Sequence, residues 1–338
     1  MSSATRSRVA VLGTGSWGTA FSTILAHAGN DVVMWGRRSE VTDEIRERHT
    51  NAQYLPGLRL PEEITATSDV AEAVSDAAAV ILAVPSQSLR ANLETWAPSL
   101  PAGAAYVSLM KGIELGTGKR MSEVISEVGG VPAEQVAVVT GPNLAREIIR
   151  RDPAASVVAS SSRETAERVA HHCATPYFRP YTETDVVGCE LGGATKNVVA
   201  LAVGMAEGLG LGDNSKASII TRGLAETTRL GVRLGADPLT FSGLAGVGDL
   251  IATCMSPLSR NHSFGVKLGQ GMTVEEVVTE TRQVAEGVKS AESILELARS
   301  VGVDMPIVEQ VAAVVHDGRD PQEVVTALMS RARKSERR

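Results

Sequence analysis

The first half of the chain alternates two kinds of pattern. Short apolar, largely β-branched runs, RVAVL, DVVMW, AAVILAV, AAYVSLM, QVAVVT and AASVVAS, are separated by segments of helical spacing such as SDVAEAVSDA and SSRETAERVAHH. Alternation of this sort predicts parallel βαβ units wound into one sheet. The runs are apolar at nearly every position, as expected of strands covered on both faces. After Asp185 the strand signal ends, and the segments VVGCELGGATKNVVALAVGMAEGL, KASIITRGLAETTRLGVRLG, FSGLAGVGDLIATCM, TVEEVVTETRQ, KSAESILELARSVG, MPIVEQVAAVVHDG and DPQEVVTALMSRAR all read as helices. Expected caps are Asp213, Asn214 or Ser215, Thr273 with Glu276, and Asp320 before Pro321. The fold class is therefore α/β plus all-α. A Rossmann-like, doubly wound sheet is expected over 8–187, an all-helical domain over 188–330, and a basic tail over 331–338, with the ligand in the cleft between domains.

Composition narrows the function classes. With 338 residues, 43% of them hydrophobic, the chain can build two domains and a large core. A net charge of -6, with the dense basic block confined to RARKSERR, argues against nucleic acid as a principal partner. Cys173, Cys189 and Cys254 form no C-x-x-C pair, which points to a reducing compartment. The N-terminal MSSATRSR reads as a short arm rather than a signal peptide. Apolar stretches reach about half the roughly 20 residues of a membrane span, so no membrane insertion and a cytoplasmic location are expected. The histidines form no metal-ligand spacing, and no metal is expected.

The chemistry begins at GTGSWG. Gly13, Gly15 and Gly18 stand in G-x-G-x-x-G spacing between a predicted strand and a predicted helix, where glycines give a tight turn, close approach to a pyrophosphate, and helix-on-sheet packing. The second strand ends in MWGRR; Arg37 and Arg38 suit a ribose 2'-phosphate better than an acidic residue would, so NADP(H) is preferred over NAD(H). Further loops at strand ends carry Val84-Pro85, Lys111, and Gly141-Pro142-Asn143. In the helical half, polar residues interrupt apolar or glycine-rich stretches at Lys196-Asn197, at Asp249 with Thr253 one turn later, and at Ser259-Arg260-Asn261, which reads as a turn. A lysine among apolar neighbours is costly unless it is paired or loses its proton.

Taken together, GTGSWGTA, MKGIE, GPN-x-A-x-E, ELGGATKNVVALAVGM, SKASIITRGLAE, GLAGVGDLIATC, SRN with FG, and AEG resemble the bacterial type of NAD(P)-dependent glycerol-3-phosphate dehydrogenase, in that family's order from Gly13 to Gly287. The resemblance implies reduction of dihydroxyacetone phosphate to sn-glycerol 3-phosphate for phospholipid synthesis. It makes Lys196 the catalytic acid/base, with Lys111, Asp249 and Thr253 in its network. It gives the substrate phosphate to Asn197, Arg260 and Asn261, with Gly141, Asn143 and Ser259 completing a pocket that Lys111, Lys196 and Asp249 also line. Ser16, Trp17, Arg37, Arg38, Lys111, Ala145, Arg260, Val284 and Glu286 would contact the dinucleotide, alongside the three glycines. Asn143 departs from the Ser or Thr that many members carry. Two rivals stand beside this reading: a β-hydroxyacid or 6-phosphogluconate type of dehydrogenase, whose Asn typically follows the Lys by a helical turn, and a nonenzymatic NADP(H) sensor. A homodimer is the expected assembly.

Overall fold

A computed structural model describes residues 6–281 and 285–330; the basic tail over 331–338 and Val284 lie outside the described residues. The chain divides into two compact units, one holding the chain up to Gly193 together with Ala236–Asp249, the other holding Ala194–Gly235 and the chain from Leu250 onward. The return of Ala236–Asp249 to the first unit is not visible in a linear reading of the pattern.

The first unit runs β1 (Arg8–Leu12), α1 (Ser16–His27), β2 (Asp31–Trp35), α2 (Ser39–Arg48), β3 (Ile64–Thr67), α3 (Val70–Val74), β4 (Ala79–Leu82), α4 (Leu89–Trp96), β5 (Ala105–Ser108), α5 (Met121–Gly129), β6 (Val136–Thr140), α6 (Ala145–Ile149), β7 (Ala154–Ala159), α7 (Arg163–Cys173) and β8 (Phe178–Glu183). The strands lie in the order β3-β2-β1-β4-β5-β6-β7-β8. They are parallel except where β7 runs antiparallel to β6. Alternate residues of one strand go to opposite faces, as the period of two requires. Val9 and Val11 pack with Phe21 and Ile24 of α1, whereas Ala10 and Leu12 pack with Leu89, Leu93 and Trp96 of α4.

The six apolar runs are all strands, and two more strands escaped the pattern. The four residues of β3 (ITAT) include two threonines. The other, β8 (FRPYTE), is an edge strand with only Phe178 fully buried, and it accommodates Pro180, which lacks the N–H a central strand would need.

Helix α8 (Val186–Gly208) begins in the first unit and continues into the second. It is followed by α9 (Asp213–Arg233), α10 (Asp249–Met255), α11 (Arg260–Gly269), α12 (Val274–Thr281), α13 (Glu286–Ser300), α14 (Pro306–Asp317) and α15 (Pro321–Met329). With 23 residues and a mean hydropathy of 1.3, α8 is long and apolar enough to cross a membrane, which corrects the expectation that apolar stretches fall short; 83% of its most apolar window is buried inside the protein. Its second half lies backbone to backbone on α11. A Cβ on Gly204 or Gly208 would fall 2.1 Å from the His262 carbonyl oxygen or 2.2 Å from that of Val266, and Gly265 and Gly269 meet α8 equally closely.

Caps at Thr273–Glu276 and Asp320 form as expected. Before α9 the cap position is Gly212, which puts Asp213, Asn214 and Ser215 in the first turn. The stretch FSGLAGVG is not an α-helix: a π-helical turn, Leu244–Gly248, precedes α10. Gly246 permits it, since a Cβ there would lie 2.1 Å from the Phe241 carbonyl oxygen.

Candidate active site

The glycine turn after β1 has the geometry a dinucleotide needs. Gly13 has φ +134°, outside the range of L side chains, and a Cβ there would sit 2.4 Å from the Ala83 carbonyl oxygen. A Cβ on Gly18 would meet the Gly13 carbonyl oxygen at 2.4 Å, which is how α1 comes down onto the turn. Gly15 faces open space and caps α1 without a side-chain hydrogen bond, leaving the first-turn N–H groups for an anion. These residues fit a pyrophosphate. Trp17 packs edge-on against Phe21, and its buried indole N–H has no partner among the described residues. The Ser16 hydroxyl donates to the Tyr54 carbonyl oxygen at 3.2 Å.

The two arginines differ. Arg37 is exposed. Arg38 lies over the Tyr54 ring, 5.8 Å from its centroid, and donates to Gln53 Oε1 at 2.6 Å and Tyr54 Oη at 3.3 Å. Gln53 and Tyr54 carry no signal of their own in the sequence, because nothing in a loop pattern marks the partner of an arginine.

At the carboxyl ends of β5 and β6, three of the expected residues come together. Lys111 Nζ donates to Asp249 Oδ2 at 2.6 Å and to the Gly141 carbonyl oxygen at 3.1 Å. The Asp249 side chain is 1% exposed and the Lys111 side chain 12%, so the pair is held largely away from water. Thr140 adds a long hydroxyl contact to the same oxygen at 3.5 Å. The lysine stem is pressed by α8: a Cβ on Gly193 would come within 3.4 Å of Lys111 Cγ and 3.0 Å of Thr140 Oγ1. Asn143 turns toward the sheet and gives its amide N–H to Ser156 Oγ at 3.0 Å, while Ala145 opens α6.

Glu190, which was not singled out as functional, pins the start of α8. Its buried carboxylate accepts from Arg120 Nη1 at 2.7 Å, Ser122 N at 2.8 Å and Ser122 Oγ at 2.5 Å. Burial raises its pKa, opposed first by the Arg120 charge. The available signal was a carboxylate inside an apolar helix pattern.

In the second unit, Lys196 is 7% exposed and donates to Thr253 Oγ1 at 2.8 Å. One position on, Asn197 Oδ1 accepts from Asn261 Nδ2 at 2.9 Å, and Asn261 Oδ1 accepts from Gly287 N at 2.8 Å. The S-R-N segment is a helix start: Ser259 caps α11 by accepting from His262 N, and Arg260 and Asn261 occupy its first turn. Arg260 is exposed, and Glu286 is the first residue of α13. Within each unit, expected residues assemble: Lys111, Gly141 and Asp249 in the first, Lys196, Thr253, Asn197 and Asn261 in the second. Val284 lies outside the described residues.

Comparison with known proteins identifies the family. The sequence model described as the NAD-dependent glycerol-3-phosphate dehydrogenase N-terminus matches residues 8–166. The corresponding C-terminus model matches residues 185–326. A Streptomyces coelicolor protein named glycerol-3-phosphate dehydrogenase [NAD(P)+] is 64% identical over 98% of both chains. A Thermobifida fusca protein of the same name is 60% identical, also over 98% of both. The crystal structure of glycerol-3-phosphate dehydrogenase from Coxiella burnetii superposes with a TM-score of 0.92 at 34% identity, covering 96% of this chain and 99% of that one.

Proposed function

The chain belongs to the NAD-dependent glycerol-3-phosphate dehydrogenase family, and from that premise we propose that it reduces dihydroxyacetone phosphate to sn-glycerol 3-phosphate, reversibly, with NADPH preferred and NADH accepted. The observation that carries the reading is the buried Lys196, held by the Thr253 hydroxyl one position before a phosphate-competent amide at Asn197.

When bound, the dihydronicotinamide supplies a hydride to the ketone carbon of the substrate. The glycine turn Gly13, Gly15 and Gly18 would hold its pyrophosphate, with Ser16, Trp17, Ala145, Arg260 and Glu286 as further contacts and Arg37 and Arg38 on the 2'-phosphate. Lys196 gives its proton to the ketone oxygen, which gains negative charge as the C–H bond forms. Thr253 keeps that ammonium aimed, because a hydroxyl donates or accepts and stays bonded through the transfer. Lys111, anchored on Asp249 and the Gly141 carbonyl, adds positive charge for the developing oxyanion. Asn197, Arg260 and Asn261 take the phosphate, with Asn143 and Ser259 shaping the pocket, so that binding energy from the phosphate holds the carbonyl in place. The product supplies glycerophospholipid synthesis in the cytoplasm, and the helical unit pairs two copies into a homodimer.

The test is oxidation of NADPH and NADH by the purified chain with dihydroxyacetone phosphate. Turnover is expected with both nucleotides. Replacing Arg37 and Arg38 together by alanine is expected to raise KM for NADPH about tenfold or more while leaving KM for NADH nearly unchanged, the size expected for losing charge-assisted bonds to one phosphate. Turnover of a carboxylate substrate in place of dihydroxyacetone phosphate would overturn the reading. Equal effects on the two nucleotides would remove the arginines from the 2'-phosphate.

A further inference from the structure

An asparagine can present either its oxygen or its NH2 group to a ligand, and only the surrounding hydrogen bonds decide which. Around Asn197 and Asn261 that decision is made by a backbone group. Gly287 N is a donor and nothing else; it takes Asn261 Oδ1 at 2.8 Å, which fixes that amide with its NH2 on the other side. Asn261 Nδ2 then gives one hydrogen to Asn197 Oδ1 at 2.9 Å, which fixes the second amide in turn. Two hydrogens of Asn197 and one of Asn261 are left as donors. Both residues are buried, at 5% and 8% exposure, so the orientation is set inside the protein rather than by water. The contact is also sterically tight: a Cβ on Gly287 would lie 2.5 Å from the Asn197 carbonyl oxygen and 2.9 Å from Asn261 Oδ1.

We infer that Gly287 is a positioning residue for phosphate specificity: its N–H sets a relay through Asn261 to Asn197 that turns both amides donor-outward and makes the pair a receptor for the substrate's phosphate. The inference rests on the proposed reaction for the identity of that phosphate, but not for the relay. The relay runs one way. A donor at its root fixes donors at its tip, and a phosphate, which at neutral pH is rich in acceptors, is the ligand that rewards this outcome.

The experiment compares the wild-type chain with Gly287→Ala, using dihydroxyacetone phosphate, its unphosphorylated counterpart dihydroxyacetone, and inorganic phosphate as competitor. Gly287→Ala is expected to raise KM for dihydroxyacetone phosphate and Ki for inorganic phosphate together, by about tenfold or more, the scale of a lost hydrogen bond to a charged ligand. Its kcat/KM for dihydroxyacetone should fall by a much smaller factor, because only the phosphate reads the turned amides. A fall for both substrates alike, or an unchanged Ki for phosphate, would overturn the inference. Should Gly287→Ala fail to fold, a double-mutant cycle of Asn197→Ala and Asn261→Ala on the dissociation constant of inorganic phosphate decides the matter. A relay predicts that the two losses are strongly non-additive, whereas simple addition would mean two independent donors and overturn it. Phosphate binding is read by titration without turnover, so failure of the wild-type chain to reduce dihydroxyacetone phosphate would count against the proposed reaction and leave the relay to be judged on its own result.

Discussion

In the sheet unit, Lys111 meets the Asp249 carboxylate and Glu190 meets the Arg120 guanidinium. In the helical unit, Lys196 meets the Thr253 hydroxyl, and Glu226 of α9 meets the backbone N–H of Ile307 at 3.0 Å. Each unit therefore encloses a lysine and a glutamate; their partners include opposite charges in the first, and a hydroxyl and backbone N–H groups in the second. An ion pair holds its geometry only while both members are charged. A bond to a hydroxyl or to a helix N-terminus survives a change of protonation. Under the proposed reaction, the sheet unit would anchor and the helical unit would exchange the proton.

The largest effect should separate the two lysines. Lys196→Ala is expected to lower kcat by about a thousandfold or more, the upper range for a general acid, with the dissociation constant for NADPH nearly unchanged. Lys111→Ala should cost about a hundredfold, as removal of one electrostatic contact to a developing oxyanion does. It should also destabilise the fold, because Asp249 is left buried without that cation. Single-turnover reduction and nucleotide titration, run side by side, measure both quantities. Near-normal turnover in Lys196→Ala, or equal losses in the two variants, would break the division.

The two units were also legible in different ways. In the sheet unit, chemistry sits where an apolar run stops, so Lys111 after AAYVSLM and the Gly141 turn after QVAVVT could be picked out from their positions. In the helical unit, chemistry sits inside helices, where only an out-of-place polar residue such as Lys196 marks it. What the pattern could not carry is long-range pairing. Glu190 and Arg120 are 70 residues apart and Arg38 and Tyr54 are 16 apart, and no periodicity links them. The strand β8 was hidden because an edge strand needs no continuous apolar run. The stretch GLAGVG carries helical spacing, yet its backbone takes a π-helical turn, because Gly246 lets the chain come against Phe241.

The next effect tests the anchor. Glu190→Ala would remove the buried carboxylate from the Arg120 guanidinium, whose side chain is 17% exposed and which would keep Glu123 as an ion partner, and would remove the acceptor for both Ser122 donors. Breaking one side of a buried pair costs about 3 kcal/mol, so a clear drop in Tm is expected, read by calorimetry or by chemical denaturation. A stability loss within about 0.5 kcal/mol, the range of ordinary surface substitutions, would show that the clasp does not hold α8 and would remove the anchoring half of the comparison.

The last effect concerns the dipole-held carboxylate. Glu226 is 4% exposed, and its pKa is pushed from 4.5 up to about 7 by burial, opposed by the N–H groups of Ile307 and Val308 and by Arg229, while Asp304 pushes in the same direction as burial. Because the folded state holds this proton more tightly than the unfolded chain, the contribution to stability is fully present below pH 4.5 and is lost as pH rises through about 7. The loss across that window should be about 3 kcal/mol. Other groups titrate over the same range, so the quantity to measure is the difference in unfolding free energy between wild type and Glu226→Gln from pH 4 to 8. Glutamine keeps an oxygen for the Ile307 N–H but cannot ionise, so Glu226→Gln should gain on wild type as pH rises. A difference that stays flat would mean that Glu226 keeps one charge state throughout, as an anchored carboxylate does, and the contrast between the units would then rest on the lysines alone.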